Sequence, residues 1–127
     1  MTMTEGMVRA DALSEADGHL QVAVHLPWYR SLPVSCLEAV DVTVDAAPVR
    51  VRSVRLPGFD GPVAGAAGSE AWWDLREPLL VSLDAPARPG AVLRLEVGVS
   101  VRIPYIQQAP GVPLVQHTIF RRAGTVR

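Results

Sequence analysis

Hydrophobic and polar residues alternate along much of the chain. In the clearest run, residues 93–103, six aliphatic side chains take the odd positions and charged or small residues take the even ones. Residues 20–26 and 40–45 repeat this pattern. A period of two places successive side chains on opposite faces of a β-strand. These segments therefore predict antiparallel strands with one buried face and one wet face.

The alternation changes phase once, within residues 49–56. The aliphatic positions move from Val49 and Val51 to Val54 and Leu56, which predicts a bulge or sharp bend near Ser53. Residues 79–84 form a further short strand, and helical spacing is hard to find. Strands separated by turn signals, with proline and glycine throughout, predict an all-β fold, an antiparallel β-sandwich or jelly-roll-like barrel.

The length of 127 residues is typical of a single domain, so residues 1–127 are taken as one unit. Three segments lie outside the strongest strand pattern. Residues 1–17 form an N-terminal segment, and residues 57–71, rich in glycine, alanine and proline, predict a long mobile loop. Residues 107–127 form a C-terminal extension, in which 114–120 are a possible last strand before a frayed basic end.

Composition excludes several classes of function. The formal net charge of −1 argues against a nucleic-acid surface, and no apolar run is long enough to cross a membrane. The first residues lack the pattern of a signal peptide, and a single cysteine, Cys36, fits a reducing compartment, so we expect a cytoplasmic protein with Cys36 as a small buried hydrophobe. All twelve basic residues are arginine, which leaves no lysine for Schiff-base chemistry.

Residues with catalytic potential are scattered. His19, His25 and His117 match no metal-ligand spacing, and the sequence has no nucleophile elbow, dinucleotide fingerprint or phosphate-binding loop. The sequence therefore predicts no catalytic residue, no metal site and no cofactor on this chain.

The aromatic residues are the most distinctive feature. Five of the seven lie in three short motifs, LPWYRSLP, EAWWDL and RIPYI, and Pro27, Pro33 and Pro104 stiffen the backbone there. Tryptophan, tyrosine and arginine are enriched at interface hot spots. These rings either cap the open end of the core or form a contact surface. Both interpretations are true together if one ring of each pair faces inward and the other faces outward. The candidate contact residues are Trp28, Tyr29, Arg30, Trp72, Trp73 and Tyr105.

These motifs carry a resemblance to a known family. Residues 20–106, with LPWYRSLPVS, the tryptophan pair before LLVSLD, and RIPYI, resemble the β subunit of bacterial C-glycoside deglycosidases. The resemblance implies a small β-sandwich that pairs with a larger α subunit in a hetero-oligomer of αβ units. That α subunit is expected to be a sugar-isomerase-like TIM barrel carrying a divalent metal, usually manganese, together with the main catalytic groups.

The resemblance also implies a reaction. The substrate is expected to be a 3-oxo-glucosyl C-glycoside with a flavonoid-type aglycone. The ketone acidifies the neighbouring C2 proton, a base removes it, the metal can stabilise the enolate, and elimination breaks the C–C bond to the aglycone. The complex is then a lyase-type enzyme, in which the six contact residues line the partner interface or the rim of the active site.

Two segments depart from the family pattern. Family members have an Asp-Gly-like turn where this chain has residues 46–48, which predicts a longer or shifted hairpin. Residues 57–71 also look unlike a well-packed connection. The alternative function is a stand-alone carbohydrate- or aglycone-binding sandwich in which Trp72 and Trp73 stack on a ligand ring.

Overall fold

The fold is built almost entirely of strands. A computed structural model describes residues 6–127. The strands are β1 (Leu13–Ala16), β2 (His19–Val24), β3 (Leu32–Pro33), β4 (Leu37–Val44), β5 (Ala47–Val49), β6 (Val51–Leu56), β7 (Phe59–Gly61), β8 (Trp72–Trp73), β9 (Leu79–Pro86), β10 (Val92–Ala109) and β11 (Val112–Thr125). Two short 3-10 helices cover Val34–Cys36 and Val63–Gly68. Within residues 6–127, no helix is long and apolar enough to span a membrane.

The strands form two main sheets and one small ribbon. A five-stranded sheet has the order β1-β2-β9-β6-β7, a four-stranded sheet has the order β11-β10-β4-β5, and β3 pairs with β8. Every pairing is antiparallel. The predicted all-β, antiparallel sandwich is therefore confirmed.

One continuous core receives side chains from both sheets. On the five-stranded sheet the buried positions include Leu20, Val22 and Val24 of β2, and on the four-stranded sheet they include the alternating residues of β10 from Leu95 to Ile103. Burial of this apolar surface is the main driving force for folding. The faces predicted from the alternation are confirmed.

The predicted irregularity in β6 is also present. Against β9, the register moves from Val51 opposite Leu83 to Ser53 opposite Ser82, which leaves Arg52 as an extra residue. This bulge returns Val54 and Leu56 to the buried face.

The last strand predicted within the C-terminal extension is present but longer than residues 114–120, and the predicted frayed end is wrong. Strand β10 continues to Ala109, and β11 runs for 14 residues and pairs with it as far as Thr125. Val126 is buried, so the end does not fray. The two strands meet at a tight turn in which Gly111 takes φ +74°, a conformation that favours glycine.

The N-terminal segment contributes a strand that the pattern analysis missed. β1 pairs with β2 across a two-residue turn, in which Asp17 and Gly18 both have positive φ. Asp-Gly is the preferred sequence for such a turn, so the signal was present in the sequence. Met7 and Val8 are buried ahead of this hairpin. Residues 1–5 of the segment lie outside the described residues.

The segment at residues 57–71, predicted from its composition to be a long mobile loop, contains regular structure. β7 pairs with β6, and the second 3-10 helix follows, with Ala66 fully buried. This helix lies against β4 and the first 3-10 helix, and Ala66 is its fully buried residue. Its other alanines and its glycines are exposed, so one small side chain anchors the segment, a role that hydrophobic periodicity does not report.

The hairpin between β4 and β5 differs from the expected longer loop. Val44 pairs with Ala47, so the turn has two residues, Asp45 and Ala46, with φ of +50° and +69°. The Asp45 N–H donates to the Arg94 carbonyl (2.8 Å), and the Arg94 N–H donates to Asp45 Oδ1 (2.9 Å). These bonds hold alanine in a backbone conformation that normally requires glycine.

Replacing Ala46 with glycine should therefore stabilise the chain. We expect Ala46→Gly to raise the free energy of unfolding by about 1 kcal/mol, because glycine adopts positive φ without the Cβ clash. Urea unfolding of the two proteins measures the change. The matched control is Ala47→Gly, one residue into β5, which should lower stability by up to about 1 kcal/mol because glycine weakens a strand. Equal effects of the two substitutions would contradict this account of the turn.

Candidate functional site

The chain leaves β2 through a short irregular loop before entering β3. Pro27 removes a backbone donor and fixes its own φ, and the residues from Pro27 to Arg30 form successive bends. Trp28 turns inward and is 9% exposed, whereas the next residue, Tyr29, is 59% exposed. Neighbouring aromatic side chains thus divide between the core and the surface.

Tyr105 reaches this loop because β10 is bulged. The pairing with β11 jumps from Ile103 opposite Leu114 to Gln107 opposite Pro113, leaving residues 104–106 unmatched. Pro104 begins the interruption because proline cannot donate a hydrogen bond to the ladder. The bulge places Tyr105 beside a loop that is 77 residues earlier in the chain.

Four side chains meet at this point, and we call them the aromatic cluster: Trp28, Tyr29, Arg30 and Tyr105. The Trp28 indole Nε1–H donates to the Tyr105 hydroxyl oxygen at 2.6 Å. The Trp28 and Tyr29 ring centroids are 4.9 Å apart at 41°, and the Arg30 guanidinium lies 5.3 Å from the Tyr105 ring centroid, within cation–π range. These contacts order an exposed surface before any partner binds.

The two phenols of the cluster also influence each other's ionisation. Interaction with Tyr105 raises the pKa of the Tyr29 hydroxyl, partial desolvation acts in the same direction, and the Arg30 charge opposes them. Tyr29 and Tyr105 are 59% and 48% exposed, so both hydroxyls are at the surface.

The tryptophan pair splits between the two faces of β8. Pairing with β3 places Trp73 opposite Leu32 and Trp72 opposite Pro33. Trp73 is buried and its Nε1–H donates to the Glu77 carbonyl (3.0 Å), whereas Trp72 is 60% exposed. Consecutive residues of a strand face opposite ways, so only Trp72 is available at the surface.

The loop and the ribbon are joined by a hydrogen bond. The N–H of Leu75, two residues after β8, donates to the Oγ of Ser31, which follows the loop at residues 27–30 (3.0 Å). The contacts that define the aromatic cluster do not include Trp72. Five of the six predicted residues thus belong to the cluster or to the exposed face of the ribbon, and Trp73 belongs to the core.

The aromatic cluster lies on an open surface. The four most prominent cavities described for residues 6–127 are lined by other residues. The largest, about 440 Å³, is a groove bordered by Arg94, Glu96 and Arg121. Small-molecule sites are usually concave, whereas protein interfaces are flatter.

Groups capable of catalysis or metal binding are sparse. Among the described residues, no group of three or more His, Cys, Asp or Glu side chains could hold a metal ion. Ser100 Oγ lies 2.5 Å from His117 Nδ1 on the outer face of the four-stranded sheet, a pair that spacing could not reveal because it spans two strands. No carboxylate is hydrogen-bonded to His117 among residues 6–127, so the third member of a catalytic triad is missing there.

Cys36 is buried, as expected from the sequence. Burial raises the pKa of its thiol, and Arg102 acts in the opposite direction. A buried thiol with a raised pKa is a poor nucleophile, so Cys36 serves packing.

His25 is a half-buried residue with a fully buried ring nitrogen, an environment that its spacing in the sequence did not reveal. It directly precedes the aromatic loop, its N–H donates to the Met7 carbonyl (2.7 Å), and its Nδ1 is buried without a hydrogen-bond partner. Burial lowers the pKa of His25, Arg9 lowers it further, and Asp11 opposes them. The neutral imidazole is therefore favoured in the folded state.

Known proteins resemble the chain over most of its length. It matches no family model. It is 34% identical over 116 residues to the 3'-dehydrocarminate deglycosidase beta subunit of Microbacterium sp, covering 87% of this chain and 85% of that protein. It is 30% identical over 105 residues to the C-glycoside deglycosidase beta subunit of Microbacterium trichothecenolyticum, covering 80% and 76%.

The chain belongs to the C-glycoside deglycosidase β subunit family. A further β subunit of this family, from Arthrobacter globiformis, is 30% identical over 96 residues, covering 72% of this chain and 73% of that protein. The resemblance noted from the aromatic and proline motifs is confirmed. A β subunit belongs to a complex, so an exposed, ordered surface of this family member is a candidate contact with a partner subunit.

Removing the Tyr105 hydroxyl should lower the pKa of Tyr29. These are the only two tyrosines in the chain, so Tyr105→Phe leaves one phenol whose ionisation can be followed by ultraviolet absorbance. We expect the Tyr29 phenol of this variant to ionise at a lower pH than in the native chain, because the interaction that raises its pKa is removed. A Trp72→Phe control should leave the native curve unchanged. An unshifted Tyr29 titration in Tyr105→Phe would contradict an interaction between the phenols.

His25 should make stability depend on pH. The pKa of His25 in the folded state lies below the ordinary value of 6.5. The neutral ring therefore contributes fully to the free energy of unfolding above pH 6.5, and this contribution is lost as the pH falls through the folded-state pKa. Urea unfolding between about pH 7 and pH 5 should show this loss, and His25→Gln should reduce it. The control is His19→Gln in the exposed turn region of β2, which should retain the native pH dependence. Identical slopes for native chain and His25→Gln would exclude His25 as the cause.

Proposed function

We propose that this chain is the small, non-catalytic subunit of a C-glycoside deglycosidase and that the aromatic cluster docks on the large subunit. The observation that carries the proposal is an exposed Tyr29, Arg30 and Tyr105 surface, ordered from within by the Trp28 hydrogen bond and lying outside the main cavities. Rigid aromatic and arginine side chains bind with little loss of conformational entropy, which is why they dominate interface hot spots.

The proposed reaction is cleavage of the C–C bond between a sugar and its aglycone. One relative is named for 3'-dehydrocarminate and the others for C-glycosides. By analogy, we propose a 3-oxo-glucosyl C-glycoside with a flavonoid-type aglycone as substrate. Removal of the proton beside the ketone, followed by elimination, breaks the bond without adding water to it. The complex is then a lyase-type enzyme.

The catalytic groups are proposed to lie on the large subunit. The described residues of this chain offer no cluster that fits a metal ion, so no catalytic step is assigned to a metal here. A sugar-isomerase-like TIM barrel with a divalent metal, in a hetero-oligomer of αβ units, is the proposed partner. The role of the small subunit is to support that partner and to border its active site.

A stand-alone sugar-binding module is less well supported. That function needs a stacking platform, yet Trp73 is in the core and Trp72 is the only ring of the pair at the surface. None of the four cavities described above is lined by Trp72. Titration of the isolated chain with a glycoside should therefore leave tryptophan fluorescence unchanged.

Removing exposed side chains of the cluster should weaken assembly. We expect Tyr29→Ala and Arg30→Ala each to reduce affinity for the large subunit by about 1–3 kcal/mol, the range of hot-spot truncation. Isothermal titration of the purified subunits measures the change. Trp28→Ala is a poorer test because Trp28 is buried and its loss also opens a cavity in the core.

The matched controls lie at the other end of β10. Val92→Ala changes an exposed residue at the start of β10, roughly 40 Å along the strand from Tyr105, and Arg88→Ala changes an exposed residue in the connection just before it, so both should bind normally. Circular dichroism and urea unfolding confirm that each variant is folded. Native affinity in both cluster variants would remove the cluster from the interface.

A further inference from the structure

The aromatic cluster has more hydrogen-bond donors than it can use internally. Trp28 donates to the Tyr105 oxygen, which occupies an acceptor position there. Neither the Tyr29 nor the Tyr105 O–H donates in a hydrogen bond described within residues 6–127, and both residues are exposed. Both phenol O–H groups are therefore available as donors at the surface. Arg30 adds guanidinium N–H groups and has no acceptor.

The positive charge of Arg30 is not neutralised within the described chain. None of the four ion pairs found among residues 6–127 includes Arg30; they join Arg76 to Asp74, Arg102 to Glu38, Arg121 to Glu96 and Arg127 to Asp11. Arg30 is exposed, and its described ring contact is the electron-rich face of Tyr105. That contact orients the guanidinium and leaves its N–H groups available to a second group.

The complementary group must accept hydrogen bonds and carry negative charge. A carboxylate meets both requirements, because its two oxygens accept from a guanidinium and from a phenol. The cluster is open and lies outside the four cavities described, which suits a protruding side chain of a protein surface better than an enclosed small molecule.

We infer that Arg30 and the Tyr29–Tyr105 phenol pair bind the carboxylate of an Asp or Glu side chain on the large subunit. This inference rests on the proposed function, because it names the chemistry of the partner surface that meets the cluster. Tyr105 holds the Arg30 guanidinium, a phenol O–H supplies a second donor, and in the assembled complex the rings exclude water around the ion pair. Arg30 is thus a specificity-determining residue for assembly.

The test uses the purified large subunit and variants of the full small chain. Affinity is measured for Arg30→Gln, Arg30→Glu and Tyr29→Phe at low salt and at about 0.5 M salt. We expect Arg30→Gln to bind about tenfold more weakly at low salt and to lose much of the salt dependence, with a larger loss for Arg30→Glu. Tyr29→Phe keeps the ring and removes the hydroxyl, so it should bind several-fold more weakly.

A charge exchange identifies the acidic partner residue. Acidic surface residues of the large subunit are changed singly to arginine, and each variant is titrated with Arg30→Glu. One such variant should bind Arg30→Glu at least tenfold better than it binds the native chain. The Arg88→Glu control should show no such recovery. If no acidic residue of the large subunit recovers binding, the inferred ion pair is absent.

The outcomes separate this inference from the proposed function. If Tyr29→Ala weakens assembly but Arg30→Gln and Arg30→Glu bind as the native chain does at both salt concentrations, the cluster is an interface and the inference is wrong. If the Tyr29→Ala and Arg30→Ala variants both bind the large subunit with native affinity, the proposed docking role is wrong, and the inference that rests on it is wrong as well. If assembly is unchanged but KM for an anionic substrate rises in Arg30→Gln, the carboxylate belongs to the substrate and the inference is overturned.

Discussion

Proline at position 104 limits how far the longest strand can pair regularly, and the site depends on that limit. β10 pairs with β4 on one side and β11 on the other, and its inward residues form a large part of the core. Because Pro104 has no N–H, regular pairing with β11 stops after Ile103. The strand bulges, and Tyr105 leaves the sheet to meet Trp28. Pro104 thus places the end of a core strand in the exposed surface of the aromatic cluster.

The aromatic cluster is held in place by internal contacts, and several of its polar groups are still exposed to solvent. Trp28 ties a loop following the five-stranded sheet to a bulge in the four-stranded sheet, so the cluster is held by both halves of the sandwich. The groups that remain exposed are those with unused donors. A preordered surface loses little conformational entropy on association, and unused donors and charge are the groups that give such a surface specificity.

Local pattern predicted the strands and their faces, because alternation is a property of neighbouring residues. It predicted the bulge in β6 for the same reason. It failed at residues 57–71, where the buried Ala66 anchors the second 3-10 helix, and just after β11, where Val126 is covered by tertiary packing. The Asp45–Ala46 turn was also missed, since two hydrogen bonds to Arg94 hold an alanine where sequence statistics favour glycine.

The sequence predicted which residues belong to the candidate site, but it did not predict their orientations or their contacts with one another. The three motifs named all six aromatic and arginine positions, and proline marked the stiff segments. Trp72 and Trp73 are consecutive strand residues, so one faces the core and the other faces solvent. A two-residue strand has no longer alternation pattern that would tell which of them is buried. The contact between Trp28 and Tyr105 joins distant parts of the chain, and nothing in either local sequence specifies the other.

Strand β11 forms one edge of its sheet and is 14 residues long, with Val115 and Ile119 exposed on it. A long free edge is a template for pairing with other chains, and unassembled subunits are the species most at risk. Here Pro113 interrupts the donor row, register shifts distort the tip of the hairpin, and Arg121 and Arg122 place charge near the other end. These features protect the free edge of β11 from edge-to-edge aggregation.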